Sequence, residues 1–287
     1  MGAIFRRELM AYIRTPVGAV YTGLFLLLAG YFFVSGHLFT GSSFYTTYMQ
    51  NILFLHLLTV PLLTMRLLSE ERGRGTDKLL LSAPVSVSAV VLAKYLAACT
   101  VFLVTVLFTL VYAAIVAVYG DLAVGEVIGA YIGYVLLGAC FISVGLFVGG
   151  QVESQVNAAF LTFVALLALW LIDGIREIAP ADERSGLLFV LALIALAGIY
   201  VYAVTTSVRL SAAVAALAGA AAGIVYLGEP SLFSDLISRI LLAVSPVNRY
   251  PEFRLGILRL SSVVFYVSFA AVFVFLTIQN MERRRWT

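Results

Sequence analysis

The chain has 287 residues, 62% of them hydrophobic and 11% charged, against about 45–50% and about 25% in a typical soluble domain. That composition excludes a water-soluble globule, and with 23 glycines and 7 prolines it also excludes collagen-like and disordered chains. A polytopic membrane protein remains. The formal net charge of +3 is too small to argue for nucleic acid, so the placement of charge carries the information. Cys99 and Cys140 both lie inside apolar runs, where they read as small apolar residues rather than as a disulfide or a metal pair.

Crossing about 30 Å of hydrocarbon takes roughly 20 apolar residues in a helix, whose backbone groups satisfy one another. Eight windows qualify: 17–35, 48–67, 87–119, 127–149, 156–172, 187–208, 211–227 and 260–279. The third is longer than a bilayer requires and predicts a tilt or a projection. Only Arg209 and its neighbours separate the sixth from the seventh, so 187–227 is either two spans or a re-entrant pair.

Ahead of the first span, Phe5, Leu9, Tyr12 and Ile13 share one helical face while Arg7 and Arg14 lie opposite, which predicts an interfacial helix over 1–15. Pro16 suits the first turn of the following span, and 1–15 lacks the apolar centre of a cleavable signal peptide. Between the second and third spans, 70–86 carries Glu70, Glu71, Arg72, Gly75, Thr76, Asp77, Lys78, Leu79, Leu80, Leu81 and Pro84. Thr76 can cap a short helix and Pro84 end it, while the three leucines are too apolar for a free loop. A charged strip followed by leucines reads as a docking element; a plain topology-setting hairpin folded against the bilayer uses the same residues without a partner.

In the fourth span, Gly129 and Gly133 have the spacing that permits close helix approach, in packing or in dimerisation. A polar turn with Gln151, Glu153, Ser154, Gln155 and Asn157 follows, and Glu153 is its candidate contact for a basic partner. Within 230–255, Leu232, Phe233, Leu236, Ile237, Ile240 and Leu241 predict an external amphipathic helix, with a proline-containing turn after it. Six arginines (Arg176, Arg184, Arg239, Arg249, Arg254 and Arg259) fall on that external side among nine acidic residues. The other twelve of the 18 basic residues lie on the side of the N-terminus. Both termini are therefore expected in the cytoplasm, with the chain in a plasma membrane of bacterial type.

Several chemistries are missing from the sequence. It holds neither a Gly-x4-Gly-Lys-Ser/Thr phosphate loop nor Gly-x-Ser-x-Gly, and His37 and His56 stand alone, without a metal-ligand spacing. No catalytic residue is assigned. His56, inside the second span, reads as a hydrogen-bonding partner between helices or as a relay.

Four segments in order resemble the type-2 ABC exporter permeases, especially their gliding-motility-type branch. They are Phe5-Arg6-Arg7-Glu8-Leu9-x2-Tyr12; Glu71-x3-Gly75-Thr76-Asp77-Lys78-Leu79-Leu80-Leu81-Ser82-x-Pro84-Val85; Gly149-x3-Glu153-Ser154-Gln155-x4-Phe160; and Ser245-Pro246 through Phe253 with the terminal Glu282-Arg283-Arg284-Arg285. The resemblance implies an all-α integral membrane fold in one permease domain, a six-span core with two spans added at 187–227. It implies an elbow helix at 1–15, a coupling helix within 70–86, and a second cytoplasmic contact at Glu153 and Gln155. The implied partners are two ABC ATPase subunits, a second permease copy or homologue, membrane lipids and an accessory extracytoplasmic protein, with no nucleic acid. ATP and Mg would be held by the ATPase subunits, and this chain would bind no cofactor itself. An ATP-independent scaffold or assembly factor and an intramembrane enzyme are the rival readings, and the cargo is not legible in the spans.

Overall fold

In the computed structural model, residues 1–39, 45–76, 85–120 and 122–285 are described. Among them the regular structure is entirely helical. In chain order the helices are α1 (Gly2–Arg14), α2 (Pro16–Phe33), α3 (Tyr45–Asn51), α4 (Leu55–Thr64), α5 (Ser69–Gly73), α6 (Val87–Phe108), α7 (Leu110–Tyr119), α8 (Val124–Gly149), α9 (Gln155–Ile178), α10 (Glu183–Thr205), α11 (Val208–Gly228), α12 (Leu236–Val244), α13 (Tyr250–Arg254) and α14 (Leu260–Arg285). Among the described residues, eight helical stretches are each long and apolar enough to cross a membrane: Pro16–Gly36, Tyr45–Gly73, Val87–Tyr119, Val124–Gly149, Gln155–Ile178, Glu183–Ala203, Val208–Gly228 and Leu260–Arg284. Each coincides with a window expected from hydropathy.

The chain divides into two compact units, one of residues 1–169 with 246–287 and one of 170–245. In the first, the second and fourth spans form the centre, with 72% and 67% of their apolar windows buried. Glycines on α8 make this possible. A Cβ at Gly138 would strike the Phe102 ring, one at Gly145 would strike the Thr64 side chain, and one at Gly133 would lie 2.6 Å from Phe253 Cβ. The Gly129 and Gly133 spacing thus serves approach to α13 within the same chain. Dimerisation need not be invoked for it.

Around this seam, three buried tyrosines find partners for their hydroxyls, which an aromatic ring with a polar tip favours in a dry core. Tyr45 and Tyr131 share a 2.8 Å hydroxyl–hydroxyl bond, Tyr131 lies 2.9 Å from Thr109 Oγ1, and Tyr134 donates to the Ile52 carbonyl at 3.2 Å. His56 is fully buried, 4.2 Å from the Tyr134 ring centroid, with Nδ1 2.9 Å from the Leu53 carbonyl of its own segment. The third span breaks at Thr109, whose hydroxyl donates to the Val106 carbonyl at 2.6 Å. Its 33 residues are divided there into α6 and α7, which together make one membrane-crossing stretch.

In the second unit, α10 and α11 are separate helices. Asp182 caps α10 by accepting from Ser185 N at 3.0 Å, and hydrogen bonding from the Ser185 side chain, with this backbone contact adding to it, holds its carboxyl below the usual aspartate range. Thr206, at φ 53°, turns the chain, and Ser207 caps α11. The Ser211 hydroxyl then donates to the Gly198 carbonyl at 2.6 Å across the hairpin. The continuous amphipathic helix expected through Leu232 to Leu241 is not continuous. Leu232 and Phe233 lie in a short 3-10 turn, Asp235 adopts φ 54°, and the helix begins only at Leu236. Side-chain periodicity carried no trace of that reversal, because Asp is tolerated in the left-handed region. Gly186 gives the Phe233 carbonyl its room, since a Cβ there would collide with it.

The packing of α8 yields a paired test. Gly133→Ala should lower the thermal midpoint in detergent, in line with about 1–3 kcal/mol for overpacking a tight contact. Gly23→Ala, where a Cβ meets nothing within 4 Å, should leave the midpoint unchanged.

Candidate functional site

At one end of the first unit, four distant stretches of sequence meet: α1, the 66–76 stretch with α5, the start of α6, and the turn between α8 and α9. α1 is seated by Tyr12, which is 3% exposed and donates its hydroxyl to the Leu63 carbonyl at 2.6 Å. Burial raises the Tyr12 phenol well above its ordinary pKa, so it stays a neutral donor. The α1–α2 corner is tight because Gly18 lies against the Tyr12 carbonyl, where any Cβ would clash.

Seated in this way, α1 presents Arg7 and Glu8 to α5 and α6. Lys94, two turns into α6 and only 2% exposed, places its Nζ 2.9 Å from Glu71 Oε1 and 3.3 Å from Glu8 Oε1. Arg7 closes the group, 2.8 Å from Glu8 and 3.3 Å from Glu71. Hydrogen bonding to Glu8 raises the Arg7 pKa, with the nearby carboxylate charges adding to it. Two cations and two carboxylates thus alternate, each charge meeting two of opposite sign. A lysine this far from water needs such an arrangement, since an isolated buried ammonium would give up its proton or disrupt the fold.

Glu70 anchors a second group. Its oxygens each lie 3.0 Å from a guanidinium, Arg66 on one side and Arg74 on the other. Arg66 also donates to Thr15 Oγ1 at 2.8 Å and stands 5.9 Å over the Tyr12 ring, which ties it to the α1–α2 corner. Arg72 reaches the α8–α9 turn, donating to the Gly150 carbonyl at 3.0 Å and pairing with Glu153 at 3.6 Å. Gly73 is what allows that turn so near, because a Cβ would sit 2.6 Å from the Glu153 carbonyl. Arg284 near the end of α14 donates to Gln151 at 3.5 Å.

Of the residues singled out in the sequence, Arg7, Glu8, Tyr12, Glu70, Glu71, Arg72 and Glu153 are therefore brought into one place. Phe5 and Leu9 are half-buried on α1, Arg6 is exposed there, and Gln155 opens α9 without joining the cluster. Gly75, at φ 67°, reverses the chain after α5, and the Thr76 hydroxyl donates back to the Glu71 carbonyl at 3.2 Å. Asp77, Lys78, Leu79, Leu80, Leu81 and Pro84 lie outside the described residues. Glu70 and Glu71, read as part of a strip facing a partner, are mostly turned inward, each 18% exposed. In the sequence Lys94 is one of the twelve basic residues on the side of the N-terminus. Its signal was an isolated lysine eight residues into a long apolar helix, a position that demands a partner. Among the described residues no group of three or more His, Cys, Asp or Glu side chains could hold a metal ion.

The arrangement joins α1, α5, α6 and the α8–α9 turn through charges whose separation is costly. Residues 30–175, which run from α2 into α9 and contain most of this cluster, match the family described as ABC-2 family transporter protein. No curated protein matches the chain.

Lys94→Met should leave Glu8 and Glu71 facing each other at the cluster, a loss of about 3–5 kcal/mol for stripping one partner from a buried pair, visible as a large fall in the thermal midpoint. Adding Glu8→Gln and Glu71→Gln to that variant should recover most of the fall. A single Lys94→Met with the wild-type midpoint would mean that the site is well hydrated and the lysine immaterial.

Proposed function

The chain belongs to the ABC-2 transporter family, and from that premise we propose that its charged end receives the motion of ATPase subunits and passes it to the membrane helices. A family member of this kind is a multi-pass membrane permease, the non-ATPase component, and works with an ATPase subunit. The finer reading is that two ATPase copies dock on 70–86, that 1–15 is an elbow helix, and that two permease bundles, identical or homologous, rock to move cargo outward. ATP and Mg belong to the ATPase subunits in this scheme. In this reading both termini and the charged cluster lie in the cytoplasm, Ser234 lies outside, an accessory extracytoplasmic protein can join there, and the chain falls in the gliding-motility-type branch.

One observation supports this reading above the others. Lys94 holds Glu8 and Glu71 at once, so the segment proposed to dock and the helix proposed as elbow are tied to the same turn of a spanning helix. A displacement of 70–76 must either carry α1 and α6 with it or pull apart a shielded ion cluster. That gives an ATP-driven closure two alternatives of different energy, which is what a two-state transmission element needs. Glu153 with Arg72 extends the same tie to the start of α9.

In a reconstituted complex with its ATPase, Leu79→Ala combined with Leu80→Ala should reduce the ATPase recovered with the permease and lower turnover severalfold, since each buried leucine is worth roughly 1.5–3 kcal/mol. Insertion should be unaffected. Equal recovery and equal vanadate-sensitive turnover would leave 70–86 a topology loop and favour a scaffold. For orientation, with Cys99 and Cys140 replaced by alanine, a cysteine at Ser234 should react with an impermeant maleimide on intact cells. One at Gly2 should react only after permeabilisation.

A further inference from the structure

A groove of about 390 Å³ runs between α1, α2 and α6, lined chiefly by Leu9, Ile13, Ala19, Val101, Val104 and Phe108. Four side chains along it carry hydroxyls, and all four are already used inside the protein. Tyr12 donates to the Leu63 carbonyl, Thr100 to Leu96 at 2.8 Å, Thr105 to Val101 at 2.9 Å, and Thr22 lies 3.3 Å from the Thr105 hydroxyl. The groove therefore presents hydrocarbon and methyl groups to whatever fills it. A polar cargo would lose its water there and find no free hydroxyl proton to accept.

Its length and direction are also informative. From Thr100 to Phe108 the groove follows eight residues of a spanning helix, about 12 Å, starting from the α1 end. Ile13, Val104 and Phe108 are 67%, 47% and 55% exposed, which in a membrane helix means exposure to acyl chains. Where the groove opens onto α1 the chemistry changes sign. Arg6 lies on the same face as Leu9 and Ile13, three and seven residues ahead of them, and is exposed, whereas Arg14 lies on the opposite face. Arg7 is engaged by Glu8 and Glu71. Among the described residues Arg6 has no ion-pair partner, so a free cation stands at the mouth of a channel lined mainly by hydrocarbon.

We propose that this groove holds one acyl chain of an anionic phospholipid, with its headgroup against Arg6 of α1. Apolar burial supplies the tail's affinity and the arginine supplies selection for negative charge, as basic positions beside interhelical clefts do for anionic headgroups. The site is separate from the Lys94 cluster and involves no ATPase, so the permease alone suffices to test it.

Purified permease is exchanged into phosphatidylglycerol or phosphatidylcholine of the same acyl composition and the lipid retained is counted by native mass spectrometry. Wild type should retain phosphatidylglycerol about fivefold better than phosphatidylcholine, the effect expected of one arginine near an anionic headgroup. Arg6→Gln should reduce the phosphatidylglycerol to the phosphatidylcholine level, and Arg14→Gln, on the opposite face of α1, should not. Ala19→Phe, which fills the groove, should abolish the tightly held molecule, with Val104→Trp as the second filling variant if the first fails to fold. Val272→Phe, on the exposed face of α14 away from the groove, should change nothing. Equal retention of the two lipids by wild type, or a filled groove that retains as much as wild type, would overturn the proposal. So would a wild-type dimer without bound lipid that Ala19→Phe converts to monomer, which assigns the groove to a second copy.

Discussion

The ammonium of Lys94 is the constraint from which the charged end of the protein follows. It sits on a spanning helix, nearly dry, and satisfies itself only if a carboxylate arrives from α1 and another from α5. Those demands fix where α1 lies and how the chain leaves the second span. They also explain why Arg7 is drawn in, since two carboxylates about one ammonium leave a negative excess that a guanidinium on their outer side offsets. Exposed pairs such as Arg7 with Glu8 add little on their own, about 0–1 kcal/mol. What makes the group rigid is the shielded member.

A second layer of order comes from size. Along α8 the glycines at 129, 133, 138 and 145 are places where the neighbouring backbone or ring occupies the space a side chain would need. Helices in lipid gain little from burying apolar surface against one another, so close van der Waals approach must supply the cohesion. The tyrosines then add directional bonds around the seam. Contrast α11, where no residue of the apolar window is buried: lacking such a seam, it is held chiefly by its hairpin with α10 and the turn that follows.

The eight membrane-crossing stretches were legible because hydropathy over some 20 residues is a strong, local signal. The charged cluster was half legible. Arg7, Glu8, Glu70, Glu71, Arg72 and Glu153 stood out as polar residues at span ends, yet which carboxylate met which cation depends on contacts up to 86 residues apart, and no periodicity encodes those. Lys94 looked like one more positive charge near a membrane surface. The break at Asp235 was invisible for a different reason: the apolar repeat on either side of it continues in phase, and one residue's backbone reversal leaves no mark in the pattern. Conversely, the Gly129 and Gly133 spacing announced a close contact correctly while leaving its partner, Phe253 of α13, unnamed.

Under the proposed transmission of motion, the interruption at Thr109 lets α6 act as a lever rather than a strut. One end carries Lys94 and the other stops at a joint fastened to Tyr131, about 22 Å away at 1.5 Å per residue. A rod of that length turns by about 5° when its charged end is moved by about 2 Å, and α7 beyond the joint need not turn with it. A pull too small to unpack any helix at the surface would then reappear, two-thirds of the way along the span, as a change of angle between two halves of one helix.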